Sequence, residues 1–353
     1  MSYFVESDIR EIVDRLGTDA QALTGRRVLL CGGLGFLGRY FLEVFKYLNT
    51  HALARPCELV VMDNGITSGV FGTMLRHEGY QCLAHDISQP LPPLAPFDYI
   101  IHAAGIASPY YYRKYPVETL EVAIVGTKNL LTMCTRSAPR GLLFFSSSEI
   151  YGNPDEANMP IPETYRGNVS CTGPRACYDE SKRVGETLCV TFHQVYRTPV
   201  TIVRPFNVYG PGMQQADHRV LPNFASSIVT GQPLQVYSSG AQTRTFCYIT
   251  DALVGFLLVL LKGRPPESYN IGHTEPEMSM LELAHLCEDV LGRKLPIELT
   301  DYPDTYPPEE SRRRCPDIRK AQTHLGYTPI VPLRDGLRRF LDWALNQYSA
   351  HVT

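Results

Sequence analysis

The chain has 353 residues, a net charge of −3 and a pI near 6.4, so electrostatics gives no reason to expect nucleic acid or an anionic membrane as partner, and any anion site has to be local. An apolar content of 44% is enough for a large core, in more than one ordinary domain or two intimately packed ones. Its ten cysteines (31, 57, 82, 134, 171, 177, 189, 247, 287 and 315) are scattered without a C-x-x-C pair, which argues against a zinc site or a disulfide framework and for reduced thiols in the cytoplasm.

Residues 1–24 are polar and acidic (Glu6, Asp8, Glu11, Asp14, Asp19), unlike a signal or transit peptide, and Ile9, Ile12, Val13 and Leu16 fall at helical spacing. That pattern predicts a short amphipathic helix laid on the main domain or on a partner subunit. No apolar run approaches the length of a membrane span. From residue 26 onward, strand-like runs (Val28–Leu30, Leu59–Met62, Tyr99–His102, Leu142–Ser146, Val200–Arg204) alternate with helical patterns (Leu37–Leu48, Pro116–Ser137, Tyr178–Tyr196). Strands separated by helices predict an α/β fold, a Rossmann-type doubly wound parallel sheet over residues 25–204, because parallel neighbours need a crossover. Ligands then bind beyond the carboxyl ends of the strands. After Pro205, proline-bearing loops alternate with short helices, and Tyr302–Pro308 is the most irregular stretch. This predicts that residues 205–353 form a smaller substrate-binding lobe interleaved with the first.

The turn Cys31-Gly-Gly-Leu-Gly-Phe-Leu-Gly38 follows the first strand and opens the first helix. Gly32 permits the tight turn, Gly35 lets backbone approach a pyrophosphate, and Gly38 lets the helix pack close to the strand, with Phe36 and Leu37 at its first turn. Asp63 lies 25 residues past Gly38 at the end of the second predicted strand, where a carboxylate bonds ribose hydroxyls; its charge repels a 2′-phosphate, so NAD is expected in preference to NADP. Asn64 follows it. Asp86 and Ile87 border the adenine or merely make a turn, and Ala103 and Ala104 keep the fourth strand end small, as close cofactor approach demands.

Downstream come the run Ser146-Ser-Ser-Glu-Ile-Tyr-Gly152 and the pair Tyr178 and Lys182 in Gly173-Pro-Arg-Ala-Cys-Tyr-Asp-Glu-Ser-Lys-Arg183. A Tyr and a Lys four apart share one helix face. A phenol is a poor base at neutral pH, and an ammonium beside it stabilises the phenolate and lowers its pKa.

With these residues in this order, the chain resembles the extended short-chain dehydrogenase/reductase (NAD-dependent epimerase/dehydratase) family of nucleotide-sugar enzymes, and within it the UDP-glucuronate decarboxylase (UDP-xylose synthase) branch. The resemblance runs from about Arg26 to Trp343 and is carried by the Gly173–Arg183 segment, Arg204-Pro-Phe-Asn-Val-Tyr-Gly-Pro211, Arg219-Val220 with Asn223-Phe224, Gln242-Thr-Arg-Thr-Phe246 with Asp251, and Cys315-Pro-Asp-Ile-Arg-Lys-Ala321. It implies Ser147 as the active-site hydroxyl, Tyr178 as the base, Lys182 as its partner, and Glu149 as the glutamate shared by decarboxylases and dehydratases. Asn207, Arg219, Arg244 and Arg314 fall where the family holds diphosphate and sugar, Val220, Val236 and Tyr237 near the base, and Tyr112 near the sugar carboxylate. Ser148 and Arg175 complete the expected substrate contacts, and a homodimer through the Pro116–Ser137 and Tyr178–Tyr196 helices is implied.

Three departures stand out. Ala123 replaces the family's asparagine before Gly126-Thr127; the loop Gly65-Ile-Thr-Ser-Gly69 lacks a basic residue; and Arg113 and Lys114 add two cations, which either reshape the sugar pocket or face water.

The implied chemistry is redox-neutral: Tyr178 takes the C4 hydroxyl proton while hydride passes to NAD, the C5 carboxylate becomes that of a β-keto acid, carbon dioxide leaves, and C5 protonation and hydride return complete the cycle. A 4,6-dehydratase has adjacent Asp and Glu where this chain has Ser148-Glu149, and a 4-epimerase usually has no carboxylate at that position. Both remain alternatives, and a non-catalytic NAD-binding regulator is a remote one.

Overall fold

The computed structural model describes residues 3–68, 80–215, 217–302 and 311–349. Six strands come first, β1 (Arg27–Cys31), β2 (Glu58–Asp63), β3 (Gln81–Ala84), β4 (Tyr99–His102), β5 (Gly141–Phe145) and β6 (Val200–Pro205). Shorter strands follow, β7 (Val208–Tyr209), β8 (Leu234–Tyr237), β9 (Thr243–Arg244), β10 (Cys247–Tyr248) and β11 (Ser268–Ile271). The first six join β11 in one parallel sheet ordered β11-β6-β5-β4-β1-β2-β3. Strands β1, β4 and β5 are apolar on both faces because helices cover both, which is why they read as unbroken hydrophobic runs. The chain leaves β1 toward β2 on one side and returns to β4 on the other, so a crevice opens at the carboxyl end of β1.

The helices are α1 (Glu6–Leu16), α2 (Phe36–His51), α3 (Pro109–Lys114), α4 (Pro116–Glu121), α5 (Thr127–Ser137), α6 (Ala176–Tyr196), α7 (Val220–Thr230), α8 (Ile249–Lys262), α9 (Met280–Leu291), α10 (Arg319–Leu325) and α11 (Leu333–Ser349). The short strands β12 (Met278–Ser279), β13 (Ile297–Thr300) and β14 (Arg313–Arg314) pair locally: β12 and β14 flank β9, and β13 lies beside β8.

The expected N-terminal helix is α1, and it packs on α8 and α2 of its own chain. Ile9, Ile12, Val13 and Leu16 are all buried, each contributing roughly 1.5–3 kcal/mol of gross hydrophobic stabilisation. Its polar face is anchored too. Arg15 meets Asp251 at 2.7 Å, Tyr248 donates to Asp8 at 2.7 Å, and Arg339 reaches Asp8 at 3.1 Å and Glu11 at 2.8 Å. Asp251 also accepts the amides of Ile330 and Val331, so it ties three segments together and lies away from the site.

Three expectations need correction. First, Pro116–Ser137 is continuously helical but not a regular α-helix throughout: a wide turn with i→i+5 bonding over Val122–Gly126 joins α4 to α5. The distortion forms with Ala123 in place of an asparagine, held by the Thr127 hydroxyl donating to the Ala123 carbonyl at 2.6 Å and by His102 Nε2 on that hydroxyl at 2.9 Å. Second, the region after Pro205 contains long helices, 14 residues in α8 and 17 in α11. Buried on nearly every side, α8 is apolar all round and offers no helical period to read. Third, β11 returns to the main sheet beside β6. Of the irregular Tyr302–Pro308 stretch, residues 303–308 lie outside the described residues, as does Gly69 of the loop after Asn64.

Candidate active site

At the carboxyl end of β1, Gly32 has φ +85°, and a Cβ there would lie 2.5 Å from the Ala104 amide nitrogen. A Cβ on Gly38 would stand 2.1 Å from the Gly32 carbonyl oxygen, so only glycine lets α2 approach β1 this closely. Gly35 is the N-cap of α2, whose first amides therefore open into the crevice. Asp63, at the end of β2, accepts the amides of Leu34 at 2.9 Å and Gly65 at 2.7 Å. Burial raises its pKa against the pull of those two amides. One cleft is lined by Gly32, Gly35, Asp63, Asn64, Asp86, Ile87, Ala103 and Ala104. Phe36 and Leu37 line the adjoining larger cavity. Asn64 donates to Asp86 at 3.0 Å, and Asp86 also accepts the Ser88 amide at 2.9 Å, so Asp86 is both a turn residue and a wall of the cleft. These residues fit a dinucleotide: a glycine cradle a Cβ would fill, an open helix N-terminus for the pyrophosphate, and carboxylates where ribose and adenine belong.

The larger cavity, of about 270 Å³, collects residues from both halves of the chain: Tyr112, Ser147, Ser148, Glu149, Arg175, Tyr178, Lys182, Asn207, Arg219, Val220, Val236, Tyr237, Arg244 and Arg314. All the expected catalytic and substrate residues therefore meet in one place. Tyr178 and Lys182 lie on the first turns of α6, with Tyr178 stacked on Tyr112 at 5.4 Å between ring centroids. Lys182 donates to the Phe145 carbonyl at 2.8 Å, and burial lowers its pKa to about 8. Burial raises the Tyr178 phenol well above its usual value, and its hydrogen bond with Ser147 opposes this. Lys182 Nζ stands 5.9 Å from the Tyr178 ring centroid, and desolvation is the dominant influence on the phenol in the protein alone. Turning Tyr178 into a base requires further positive charge, and the oxidised nicotinamide ring carries one. Ser147 also accepts the Glu149 amide at 3.2 Å, capping a short 3₁₀ turn that aims Glu149 into the cavity.

Glu149 is surrounded by arginines. Both arms of Arg314 donate to it, Nη1 to Oε1 and Nη2 to Oε2 at 2.7 Å, and Arg175 Nη2 shares Oε2. Burial alone would raise its pKa, but Arg175, Arg314 and Arg244 together hold it below the usual carboxylate range. Arg314 and Arg244 face each other across the paired β14 and β9. Arg219 donates three side-chain bonds to Asp217, from Nε at 3.0 and 3.1 Å and from Nη2 at 2.5 Å, and its guanidinium lies 6.0 Å over Phe36. Asn207 sits at φ +41° and donates to the Thr245 carbonyl at 2.8 Å.

Arg113 and Lys114 do not line the cavity. Arg113 donates to Pro109 at 2.8 Å, and Lys114 is exposed over the rings of Tyr110 and Tyr115. Several lining residues escaped sequence reasoning: Gln235, Met280 and His218, the last stacked on Tyr110 at 5.1 Å. No motif spacing marks them, since they come from a short strand, the start of α9 and a loop, joined only by folding. Among the described residues no cluster of His, Cys, Asp and Glu could hold a metal, and no helix is long and apolar enough to cross a membrane.

The profile of the NAD dependent epimerase/dehydratase family matches residues 28–272. UDP-glucuronic acid decarboxylase 3 of Arabidopsis thaliana is 37% identical over 88% of this chain and 86% of its own length, and UDP-glucuronic acid decarboxylase 1 of Xenopus tropicalis is 36% identical over 90% and 72%. Among solved structures, the dTDP-glucose 4,6-dehydratase DesIV of Streptomyces venezuelae, with NAD bound, superposes with a TM-score of 0.79 at 25% identity, covering 92% of this chain and 98% of that one. The glycine cradle, the Ser147–Tyr178–Lys182 constellation and these matches agree: the chain belongs to the NAD-dependent epimerase/dehydratase family.

Proposed function

We propose that the protein is an NAD-dependent decarboxylase that converts UDP-glucuronate, or a closely related nucleotide-linked uronate, to UDP-xylose through a transient 4-keto sugar. The observation that carries this reading is Glu149: a single carboxylate two residues past Ser147, held ionised among Arg175, Arg244 and Arg314 in the cavity that contains Tyr178. A dehydratase would need an acid next to it to expel a hydroxyl, and that neighbour is Ser148.

Tyr178 takes the C4 hydroxyl proton and later returns it, with Lys182 stabilising the phenolate and Ser147 hydrogen-bonding the developing carbonyl. NAD, held by Gly32, Gly35, Phe36, Leu37, Asp63, Asn64, Asp86, Ile87, Ala103 and Ala104, supplies a reversible hydride acceptor. Glu149 serves the C5 side, where carbon dioxide departs and a proton must arrive. Arg219, Arg244 and Asn207 hold diphosphate and sugar, Arg314 and Arg175 the acidic end beside Tyr112 and Ser148, and Val220, Val236 and Tyr237 the base. In this reading residues 25–204 carry the cofactor, residues 205–353 most of the sugar-nucleotide site, and residues 1–24 a helical extension.

Apolar side chains exposed on α4 (Val117, Leu120), at the wide turn (Val125) and on α6 (Val184, Val195, Tyr196) give a homodimer its surface, and free thiols such as Cys31, Cys134 and Cys189 accord with a reducing cytoplasm. Incubating the NAD-loaded protein with a panel of nucleotide sugars and weighing the products tests the reading. Loss of carbon dioxide from UDP-glucuronate is expected; loss of water, or epimerisation without mass change, would overturn it.

A further inference from the structure

Behind the arginine cluster stands a second carboxyl group that the proposed chemistry does not use. Asp179, next to Tyr178 on α6, is 7% exposed. One of its oxygens lies 3.6 Å from Arg175 Nε, and the other, Oδ1, is buried with no hydrogen-bond partner among the described residues. Arg175 thus stands between two carboxyls, its Nη2 on Glu149 and its Nε edge toward Asp179. The two are unequally supplied: Glu149 also holds both arms of Arg314, whereas Asp179 pairs directly with Arg175 and feels Arg314 only from farther off. A buried carboxylate with an orphan oxygen is costly. It is relieved either by carrying a proton or by drawing the arginine away.

We infer that Asp179 is a specificity-setting positioning residue: it competes with Glu149 for Arg175 and so determines how much positive charge the pocket presents to the carboxylate of the incoming sugar. This rests on the uronate reading above. The groups facing Asp179 are Arg175 at the N-cap of its helix, Cys177 and Tyr178 on that helix, Glu149 on the 3₁₀ turn, Arg314 on β14, and Tyr112 on α3. Burial raises the Asp179 pKa, and Glu149 adds to this, while Arg175 and Arg314 oppose it. Below that pKa Asp179 is neutral, and Arg175, Arg244 and Arg314 face one carboxylate; above it they face two, and the attraction for a third, on the sugar, weakens. UDP-xylose has the same nucleotide and no carboxylate, so its binding is insensitive to this change.

The test is a pair of calorimetric titrations, UDP-glucuronate and UDP-xylose, on NAD-loaded Tyr178→Phe protein, which binds without turnover. With the Asp179 pKa at about 7, the ratio of the two affinities should fall roughly tenfold between about pH 6 and about pH 8.5. In the Tyr178→Phe/Asp179→Asn protein the ratio should stay at its acid-side value at both pH values. A ratio that is flat in the first protein, or that falls equally in both, overturns the role of Asp179. If neither protein binds UDP-glucuronate at either pH while both bind UDP-xylose, the decarboxylase reading fails, and Asp179 with it. Should Asp179→Asn not fold, Asp179→Ser and the infrared band of a protonated carboxyl in otherwise unmodified protein decide the matter: the band must disappear over the same interval, and its absence at the acid end contradicts the inference.

Discussion

The cofactor half of the molecule and the sugar half are built on opposite plans. The cofactor cradle is local: Gly32, Gly35 and Gly38 fall within seven consecutive residues, and Asp63 joins them through the direct pairing of β1 with β2. The sugar half is assembled at long range. Glu149, Arg175, Arg244 and Arg314 come from a 3₁₀ turn, the start of α6, and two-residue strands more than sixty positions apart. A local cradle tolerates change elsewhere, whereas a cluster of like charges exists only because a carboxylate sits at its centre. The lesson is that reaction class is encoded in the half whose parts depend on one another.

If the halves are independent in this way, Arg314→Ala gives the largest effect. It leaves Glu149 buried with fewer partners, a penalty of about 3–5 kcal/mol for breaking such a pair, discounted here because the Glu149 side chain keeps 18% exposure and Arg175. Turnover should fall by more than a hundredfold while NAD affinity, read by fluorescence titration, is unchanged. A parallel loss of NAD binding would show the halves to be coupled.

Asp63→Ala sharpens the contrast from the other side. Losing a charged hydrogen-bond partner should weaken NAD binding by about 1–3 kcal/mol and erode the preference over NADP, with UDP-xylose affinity untouched. Equal affinity of the unmodified protein for NAD and NADP would remove the basis of that assignment.

A smaller effect is expected at the N-terminal helix. Burial raises the Asp8 pKa from 3.8 to about 6 in spite of Tyr248 and Arg339. A raised folded pKa means the native state favours the protonated form, so this group's contribution to stability is lost as pH rises from about 4 and is fully gone above about 6. Asp8→Asn should therefore gain thermal stability relative to the unmodified protein at about pH 7.5, by roughly 1 kcal/mol, and lose that gain near pH 4. An Asn variant less stable at both pH values would mean that the Arg339 pair outweighs desolvation.

The contrast also explains what was legible. Five of the six strands of the first half and the glycine turn could be read because periodicity and spacing are local signals, whereas the mostly exposed edge strand β3 has no apolar run to mark it. The return of β11 to the main sheet could not, since Ser268–Ile271 is four residues without alternation. Nor could the length of α8, whose burial on all sides erases its period. Tyr178, Lys182 and Glu149 were found through motif and resemblance, but their electrostatics were only half legible: that desolvation dominates at Tyr178, and that Asp179 shares Arg175 with Glu149, depend on burial, which spacing does not reveal.

Glu149 is where the decarboxylase reading is most exposed to test. In a single turnover on UDP-glucuronate, with the sugar trapped by borodeuteride, which marks each reduced ketone with one deuterium, and weighed, Glu149→Gln should accumulate the 4-keto sugar and slow its decay by about a hundred- to ten-thousand-fold, because the base that starts the reaction is intact. Tyr178→Phe should yield none. Normal turnover by Glu149→Gln would contradict the central role of that carboxylate and move the 4-epimerase reading ahead.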